Sequence, residues 1–404
     1  MKLLYLSYWS SNDQLTQSIV LPRLFALADL PSVERIYYVT IERGDESDAL
    51  HRSKISHILF KSKTIFSLHL TKINDLIRLI RKVRDLVTSE KIDCVICNSP
   101  LAGAIGYVVR MFLSFKLVIE CFEPHADYML ESGVWRRWGL RYNFLRFFEQ
   151  RQAKKAYRLL TVSDNYTKLL INKGIPKDRI ITMPNGVELD EYAFSLESRA
   201  AVRKTLGIPG GSIVGIYVGK FGGIYYHDEA FDLFAKAFGF FGERFHMIIL
   251  TSNDRDDITL NLTSRKIDKR KVYISSVPAM DVPGYLSASD FAFATIKAAP
   301  VRKYCCPIKV GEYWANGLPV LLEEGIGDDS NIIKRNGGGF ILDMKIPTVT
   351  FQKLELFLGT YNRTSDLIQG IARKHRDFNL IRDTYKRLFV ISDEERITNE
   401  GQRV

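Results

Sequence analysis

The sequence predicts an α/β protein of two domains, each built on a parallel sheet with covered faces, and three observations carry the prediction. At 404 residues the chain exceeds what one hydrophobic core usually supports. Short apolar runs of strand length alternate with amphipathic helical stretches along both halves, which is the rhythm of βαβ units. The rhythm is interrupted at 188–211, ELDEYAFSLESRAAVRKTLGIPGG, which ends in a Gly/Pro cluster and reads as the connection between domains. A cleft between the two sheets follows as an expectation, with ligands outside the C-terminal strand ends.

The first half begins with the strand KLLYLSYW, a helix over about 17–29, the strand RIYYVTI and a helix over about 69–89. DCVICN, a helix over 101–113 and KLVIEC follow, then a helix over 135–157, RLLTVS, a short helix from about 164 and RIITMPNG. The second half repeats the pattern with SIVGIYVG, a helix from about 228, FHMIIL, KVYISS, a helix from 281, FAFATI, a helix over 307–316, PVLL and GGFIL.

Composition narrows the class. With 46% hydrophobic and 25% charged residues, both domains are ordinary globular bodies. No run of eighteen uncharged apolar residues appears, and the chain opens on a strand-like segment rather than a signal peptide, so the expectation is a protein neither exported nor membrane-spanning. Five cysteines are an odd number, and Cys94, Cys97 and Cys121 fall in or beside apolar runs, which points to the reduced cytoplasm. CVIC at 94–97 has redox-motif spacing, but Val and Ile between the thiols favour a buried strand.

The net charge of +11 invites an anionic partner. Much of it lies in 135–158, WRRWGLRYNFLRFFEQRQAKKAYR, where eight cations stand among Trp135, Trp138, Tyr142, Phe144, Phe147 and Phe148. That mixture suits a helix at an anionic membrane surface. A core helix with a solvated basic face is the competing reading, of about equal weight. No zinc knuckle, RNP-like or helix-turn-helix pattern supports a nucleic-acid partner.

The stretch YCCPIKVGEYWANGLPVLLE (304–323) carries the strongest local signal. Pro307 suits the start of a helix, Gly317 the left-handed residue after one, and Pro319 forbids continuation. Lys309 in the first turn opposes the helix dipole, which implies something negative nearby. Glu312 lies one turn on and shares its face, placed to accept hydrogen bonds from a hydroxylated ligand. A surface i,i+3 ion pair is the plainer alternative.

Taken in order, five segments resemble those of the GT-B fold, retaining glycosyltransferases of family 4, over nearly the whole chain. They are TVSDN (161–165), MPNGVELDEY (183–192), VPAMDVPGYLSASDFAFAT (277–295), IKVGEYWANGLPVL (308–321) and RDFNLIRDTYKRLF (376–389). The resemblance implies two Rossmann-like domains facing across a cleft: 1–190, the acceptor domain, completed by a closing C-terminal helix 372–404 that returns to it, and 191–371, the donor domain. It places Glu312 on the donor's ribose hydroxyls and Lys309 beside its phosphates, with Ile308 and Tyr304 in the same site. Tyr304 stands where the family often has a glutamate. In YVGKFGGIYYHDEA, Lys220 replaces the family's usual arginine and Tyr225 its lysine, so Lys220, Gly222 and Gly223 are donor-loop residues and Lys309 supplies the second cation.

In KLVIECFEPHADYM the resemblance implies that His125 bonds the transferred sugar, with Glu123 and Asp127 placed to orient it. A buried structural histidine is the plainer reading. The first loop, YWSSNDQLTQS, lacks the family's glycine pair, leaving Ser10, Ser11 and Asn12 for acceptor or phosphate contacts. No Asp-x-Asp motif stands at a strand end, and DRDD (254–257) reads as a polar loop, so no metal and no cofactor are expected. The function implied is transfer of a sugar from a nucleotide-sugar donor to a hydroxyl of a glycan acceptor, possibly lipid-linked, in bacterial surface polysaccharide synthesis, in the cytoplasm or at the inner face of the membrane. A non-catalytic nucleotide-sugar-binding subunit and a GT-B sugar-nucleotide epimerase are the alternatives.

Overall fold

The computed structural model describes residues 1–43, 49–63 and 68–389, so the end of the expected returning segment, 390–404, lies outside the described residues. The chain divides into two compact units, Met1–Met183 with the segment from Asn379, and Pro184–Phe378.

In the first unit β1 (Lys2–Ser7), β2 (Arg35–Glu42), β3 (His51–Arg52), β4 (Ile55–Lys61), β5 (Cys94–Asn98), β6 (Lys116–Cys121), β7 (Arg158–Thr161) and β8 (Ile180–Thr182) form one sheet. The order is β3-β4-β2-β1-β5-β6-β7-β8, parallel throughout except at the β3–β4 edge. KLLYLS and CVICN are buried nearly end to end, as strands covered on both faces must be. Cys94 and Cys97 are packed among them, and burial pushes the Cys94 thiol up to about 12. Strand order reverses between β1 and β5, which makes the loops after those two strands the crevice of this sheet.

In the second unit β9 (Ile213–Val218), β10 (Phe245–Leu250), β11 (Val272–Ser275), β12 (Phe291–Ala294), β13 (Val320–Glu323) and β14 (Gly339–Leu342) are all parallel, in the order β11-β10-β9-β12-β13-β14. Period-two alternation sends Val214 and Ile216 into one apolar layer with Trp314, and Tyr217 into the other with Phe231 and Phe245. The reversal here lies between β9 and β12. The glycine loop and the segment leading to Glu312 are the chain that follows these two strands.

The structure departs from the sequence reading in several places. β4 was not expected, because Ser56 and His57 interrupt its apolar run. The helix expected over 135–157 starts only at Leu140 and ends at Lys155; a separate short helix, His125–Glu131, precedes it and stops where Gly133 takes φ +72°. DRDD is not a loop but a helix start: Asp254 accepts from the Asp256 N–H at 2.9 Å, and Asp256 and Asp257 fill the first turn of the helix Arg255–Ser264. The connection 188–211 contains the helix Leu196–Thr205, whose Arg199 and Arg203 both bind Asp290. The closing helix is two, Asp366–Arg376 and Asn379–Phe389. The break comes where Val187 N–H donates to the Arg376 carbonyl at 2.7 Å and Phe378 N–H to the Val187 carbonyl at 3.0 Å.

The last described helix is tied into the first unit through a buried carboxylate. Tyr385 donates to Glu120, which also accepts from Tyr5 at 2.7 Å, Asn98 at 2.7 Å and Arg23 at 3.2 Å. Among the described residues no helix is long and apolar enough to cross a membrane.

Candidate active site

In the second unit the donor-side residues sit on the helix Ile308–Ala315, which Pro307 precedes at φ −62° and Gly317 follows at φ +75°. Its inner face is anchored at the end of β9 and just before the edge strand β14. Tyr313 Oη accepts from the Val218 N–H at 3.1 Å at the end of β9, and Trp314 Nε1 donates to the Gly338 carbonyl at 2.7 Å. These anchors fix the rotation of the helix and so turn Glu312 inward, leaving its side chain 3% exposed. Lys309 Nζ donates to both carboxylate oxygens, at 3.0 and 2.8 Å, so the i,i+3 pair weighed from the sequence forms. Tyr192 lies beside it: burial and the neighbouring Glu312 carboxylate push the tyrosine hydroxyl well above its ordinary range. Ile308 packs against the core behind the helix, and Tyr304, in the turn Arg302–Tyr304, is half-buried with the Lys303 ammonium 5.1 Å from its ring.

The loop after β9 is built around glycines in the left-handed region, Gly222 at φ +84° and Gly223 at φ +64°, conformations that strain a residue with Cβ. Tyr217 Oη donates to the Lys220 carbonyl at 2.5 Å, and Asn253 accepts from the Phe221 N–H at 2.9 Å, so the backbone is held while the Lys220 side chain stays exposed. Backbone bonds from Tyr226 N–H to the Thr295 carbonyl and from Lys297 N–H to the Ile224 carbonyl, both 2.9 Å, tie this loop to the segment after β12. Tyr225, at the position of the family's lysine, brings no charge to this loop. Burial pushes its hydroxyl up.

In the first unit, His125 opens its helix and its Nδ1 lies 2.8 Å from Glu123 Oε1. Burial alone would lower the imidazole pKa, but the Glu123 hydrogen bond and charge, with Glu149 nearby, outweigh it and raise it. The ring stacks on Tyr128 and meets Trp135 edge-on. Asp127 does not join this pair. Two residues along a helix turn a side chain through about 200°, and Asp127 instead accepts from Tyr142 Oη at 3.1 Å. Ser10 and Ser11 fold around Glu42, which accepts from Ser10 Oγ at 2.5 Å and from the Ser11 N–H at 3.0 Å, while the Asn12 N–H bonds back to Ser10 Oγ at 3.3 Å.

Four residues of these sites escaped sequence reasoning. Glu149 accepts from the Ala126 N–H at 3.2 Å and steadies the start of the His125 helix. Burial raises its carboxyl to about 7. Its signal was visible, since it is the single acid of 135–158. Ser99, at the β5 end of the crevice, holds φ +92°, a strain of the kind found at ligand sites. Glu42 and Tyr192 owe their places to chain crossings that no local pattern reveals. Among the described residues no group of three or more His, Cys, Asp or Glu is arranged to hold a metal ion.

Two parallel doubly wound sheets are the architecture of the GT-B fold, and the comparisons with known proteins show a glycosyltransferase domain within it. Residues 66–186 match the glycosyl transferase 4-like domain. The chain is 22% identical over 335 residues to the UDP-Gal:alpha-D-GlcNAc-diphosphoundecaprenol alpha-1,3-galactosyltransferase of Escherichia coli, covering 78% of this chain and 81% of that one. The fold matches Anabaena HepE in complex with UDP at TM-score 0.71 and 14% identity, over 96% of this chain and 100% of that one. It also matches the apo form of the lipopolysaccharide outer core galactosyltransferase WaaB at TM-score 0.69 and 13% identity, over 96% and 99%. The GT-B fold and the family-4 type expected from the motifs are thereby borne out.

Proposed function

We propose that this glycosyltransferase moves a sugar, with its anomeric configuration retained, from a nucleotide-sugar donor to a hydroxyl of a lipid-linked glycan, in bacterial surface polysaccharide assembly at the inner face of the membrane. The observation that carries the donor side is the inward-turned Glu312 carboxylate, paired with Lys309 beside the reversal of the second sheet. A carboxylate accepts two hydroxyl hydrogen bonds, which suits the ribose diol. Lys309 and the exposed Lys220 neutralise the phosphates, whose charge grows as the nucleoside diphosphate leaves. The bond from the sugar's anomeric carbon to the phosphate oxygen breaks, the bond to the acceptor oxygen forms on the same face, and the acceptor proton passes to the departing phosphate. Glu123 holds His125 at Nδ1, which leaves Nε2 to hydrogen-bond a sugar hydroxyl. The lipid-linked acceptor is favoured by the Escherichia coli relative, named for a diphosphoundecaprenol acceptor.

The test is a transfer assay with UDP-, GDP- and ADP-sugars and a GlcNAc-diphosphate-lipid acceptor, with and without a chelator, and product stereochemistry read by NMR. Retained configuration and turnover indifferent to chelator are expected. An inverted product contradicts the mechanism. Donor binding with neither transfer nor hydrolysis identifies a binding subunit instead, and interconversion of the sugar nucleotide an epimerase.

A further inference from the structure

The first unit holds a run of hydrogen bonds that reaches from β4 across β2 to the loop after β1. Tyr38, Thr40 and Glu42 occupy alternate positions of β2 and so share one face of the sheet. His57, in register with Tyr38 on the neighbouring strand, stacks on its ring with 4.6 Å between centroids. The imidazole Nε2 lies 2.9 Å from Thr40 Oγ1, and Nδ1 accepts from the Leu50 N–H at 2.9 Å. Thr40 Oγ1 in turn donates to Glu42 Oε1 at 2.5 Å. Glu42 is the buried carboxylate on which the Ser10 hydroxyl and the Ser11 N–H close.

The direction of each proton in this run is fixed. A backbone N–H can only donate, so Nδ1 of His57 is unprotonated and the ring proton sits on Nε2. That proton goes to Thr40, whose own single proton goes to the carboxylate. Burial lowers the His57 pKa, with the Glu42 charge opposing it, and a neutral ring is what the Leu50 bond requires. The Ser10 hydroxyl proton is committed to Glu42 as well, and its oxygen accepts from the Asn12 N–H. Ser11 is the exception: it is 7% exposed, and among the described residues its hydroxyl has no hydrogen-bond partner. A buried hydroxyl left open costs free energy unless a ligand completes it.

We infer that His57 is a positioning residue for the acceptor: through Thr40 and Glu42 it holds the Ser10–Asn12 loop in the shape that leaves the Ser11 hydroxyl open to an oxygen of the incoming glycan. The inference deepens the glycosyltransferase reading and rests on it for the identity of that ligand. It also gives a reason for the polar residue that interrupts β4, and for a loop that keeps its shape without a glycine pair. His57 touches no substrate and acts only through the carboxylate.

Three substitutions take the relay apart. His57→Gln carries an amide N–H to the place of Nε2 and keeps the bond to Thr40, whereas His57→Asn reaches the Leu50 N–H but not Thr40. Thr40→Val removes the middle link with little change of volume. The Ser11 amide proton, observed by NMR in the unliganded protein, is expected to shift in His57→Asn and in Thr40→Val and to stay near its place in His57→Gln. In transfer assays His57→Asn and Thr40→Val should each raise the acceptor KM roughly tenfold, as expected for one bond lost from a buried network, with kcat and nucleoside diphosphate affinity nearly unchanged. The double variant, His57→Asn with Thr40→Val, should lose no more than either alone, since both cut one chain. Additive losses, a Ser11 amide that does not move, or a KM in His57→Gln as poor as in His57→Asn overturn the inference. A loss confined to thermal stability does the same, because it leaves His57 a packing residue. The amide is read without turnover, so variants that shift it in a chain that transfers no sugar support the relay and contradict the proposed function.

Discussion

Lys309 Nζ lies 2.8 and 3.0 Å from the two carboxylate oxygens of Glu312, one helical turn away, with the carboxylate 3% and the lysine side chain 39% exposed. The carboxylate is desolvated and the lysine is its outlet to water. In the proposed donor complex a ribose diol takes over part of the bonding that Lys309 now supplies, which frees Lys309 for the phosphates. Glu312→Ala is expected to weaken donor binding by roughly 2–4 kcal/mol, the worth of a pair of charge-assisted bonds. Titration calorimetry with the donor checks this, and an unchanged affinity refutes the role.

Lys309→Ala and Lys220→Ala are each expected to weaken nucleoside diphosphate by roughly 1.5–3 kcal/mol and to leave free nucleoside nearly unaffected. Equal losses for both ligands in the same calorimeter would place these lysines away from the phosphates.

Arg376 is a structural counterpart to this pair. Its guanidinium reaches Asp329 and Cys306, and both ionic partners are almost wholly buried. Burial raises the Asp329 carboxyl to about 6 even beside the arginine. Asp329→Leu alone should destabilise the second unit by about 3–5 kcal/mol, because it strands a buried cation, and adding Arg376→Met should recover much of the loss. Chemical denaturation of the single and double variants measures both.

The imidazole of His125 is raised above its ordinary 6.5 against the effect of burial, by Glu123. The folded state thus holds that proton more tightly than the unfolded chain. The stability it contributes is full below about 6.5 and is lost as pH rises through the folded value. Glu123→Gln should lower the His125 pKa seen by NMR and flatten this part of the stability profile. A titration that does not move would break the link between the two residues.

Glu149 shifts stability in the same direction, over a lower pH interval. Its carboxyl is raised by burial from an ordinary 4.5 to about 7, so the folded state binds a proton that the unfolded chain releases, and stability falls as pH climbs across that interval. Glu149→Gln should remove the fall, as read by thermal unfolding between those pH values. A slope unchanged in the variant would assign the titration elsewhere.

Much of the fold was legible because its punctuation is local. Pro307, Gly317 and Pro319 bracket the Glu312 helix, which the structure runs from Ile308 to Ala315. The apolar runs of β1 and β5 declare buried parallel strands. What stayed hidden depends on chain crossings. Asp127 looks like a partner for His125 in sequence, yet helix geometry hands it to Tyr142. Glu149 stands out in sequence as the single acid of 135–158, but its partner, the Ala126 N–H, is set only when helix 140–155 folds against the His125 helix, and Glu42 shapes the Ser10 loop only because β2 lies beside β1. DRDD misled because a polar run at a helix start resembles a loop until the capping bond of Asp254 is seen.

A crystal structure with a bound nucleoside diphosphate tests the donor site most directly. The ribose hydroxyls are expected within hydrogen-bonding distance of Glu312, with the phosphates beside Lys309 and the Lys220 loop. A nucleotide bound elsewhere, with the Lys309–Glu312 pair undisturbed, would contradict the assignment.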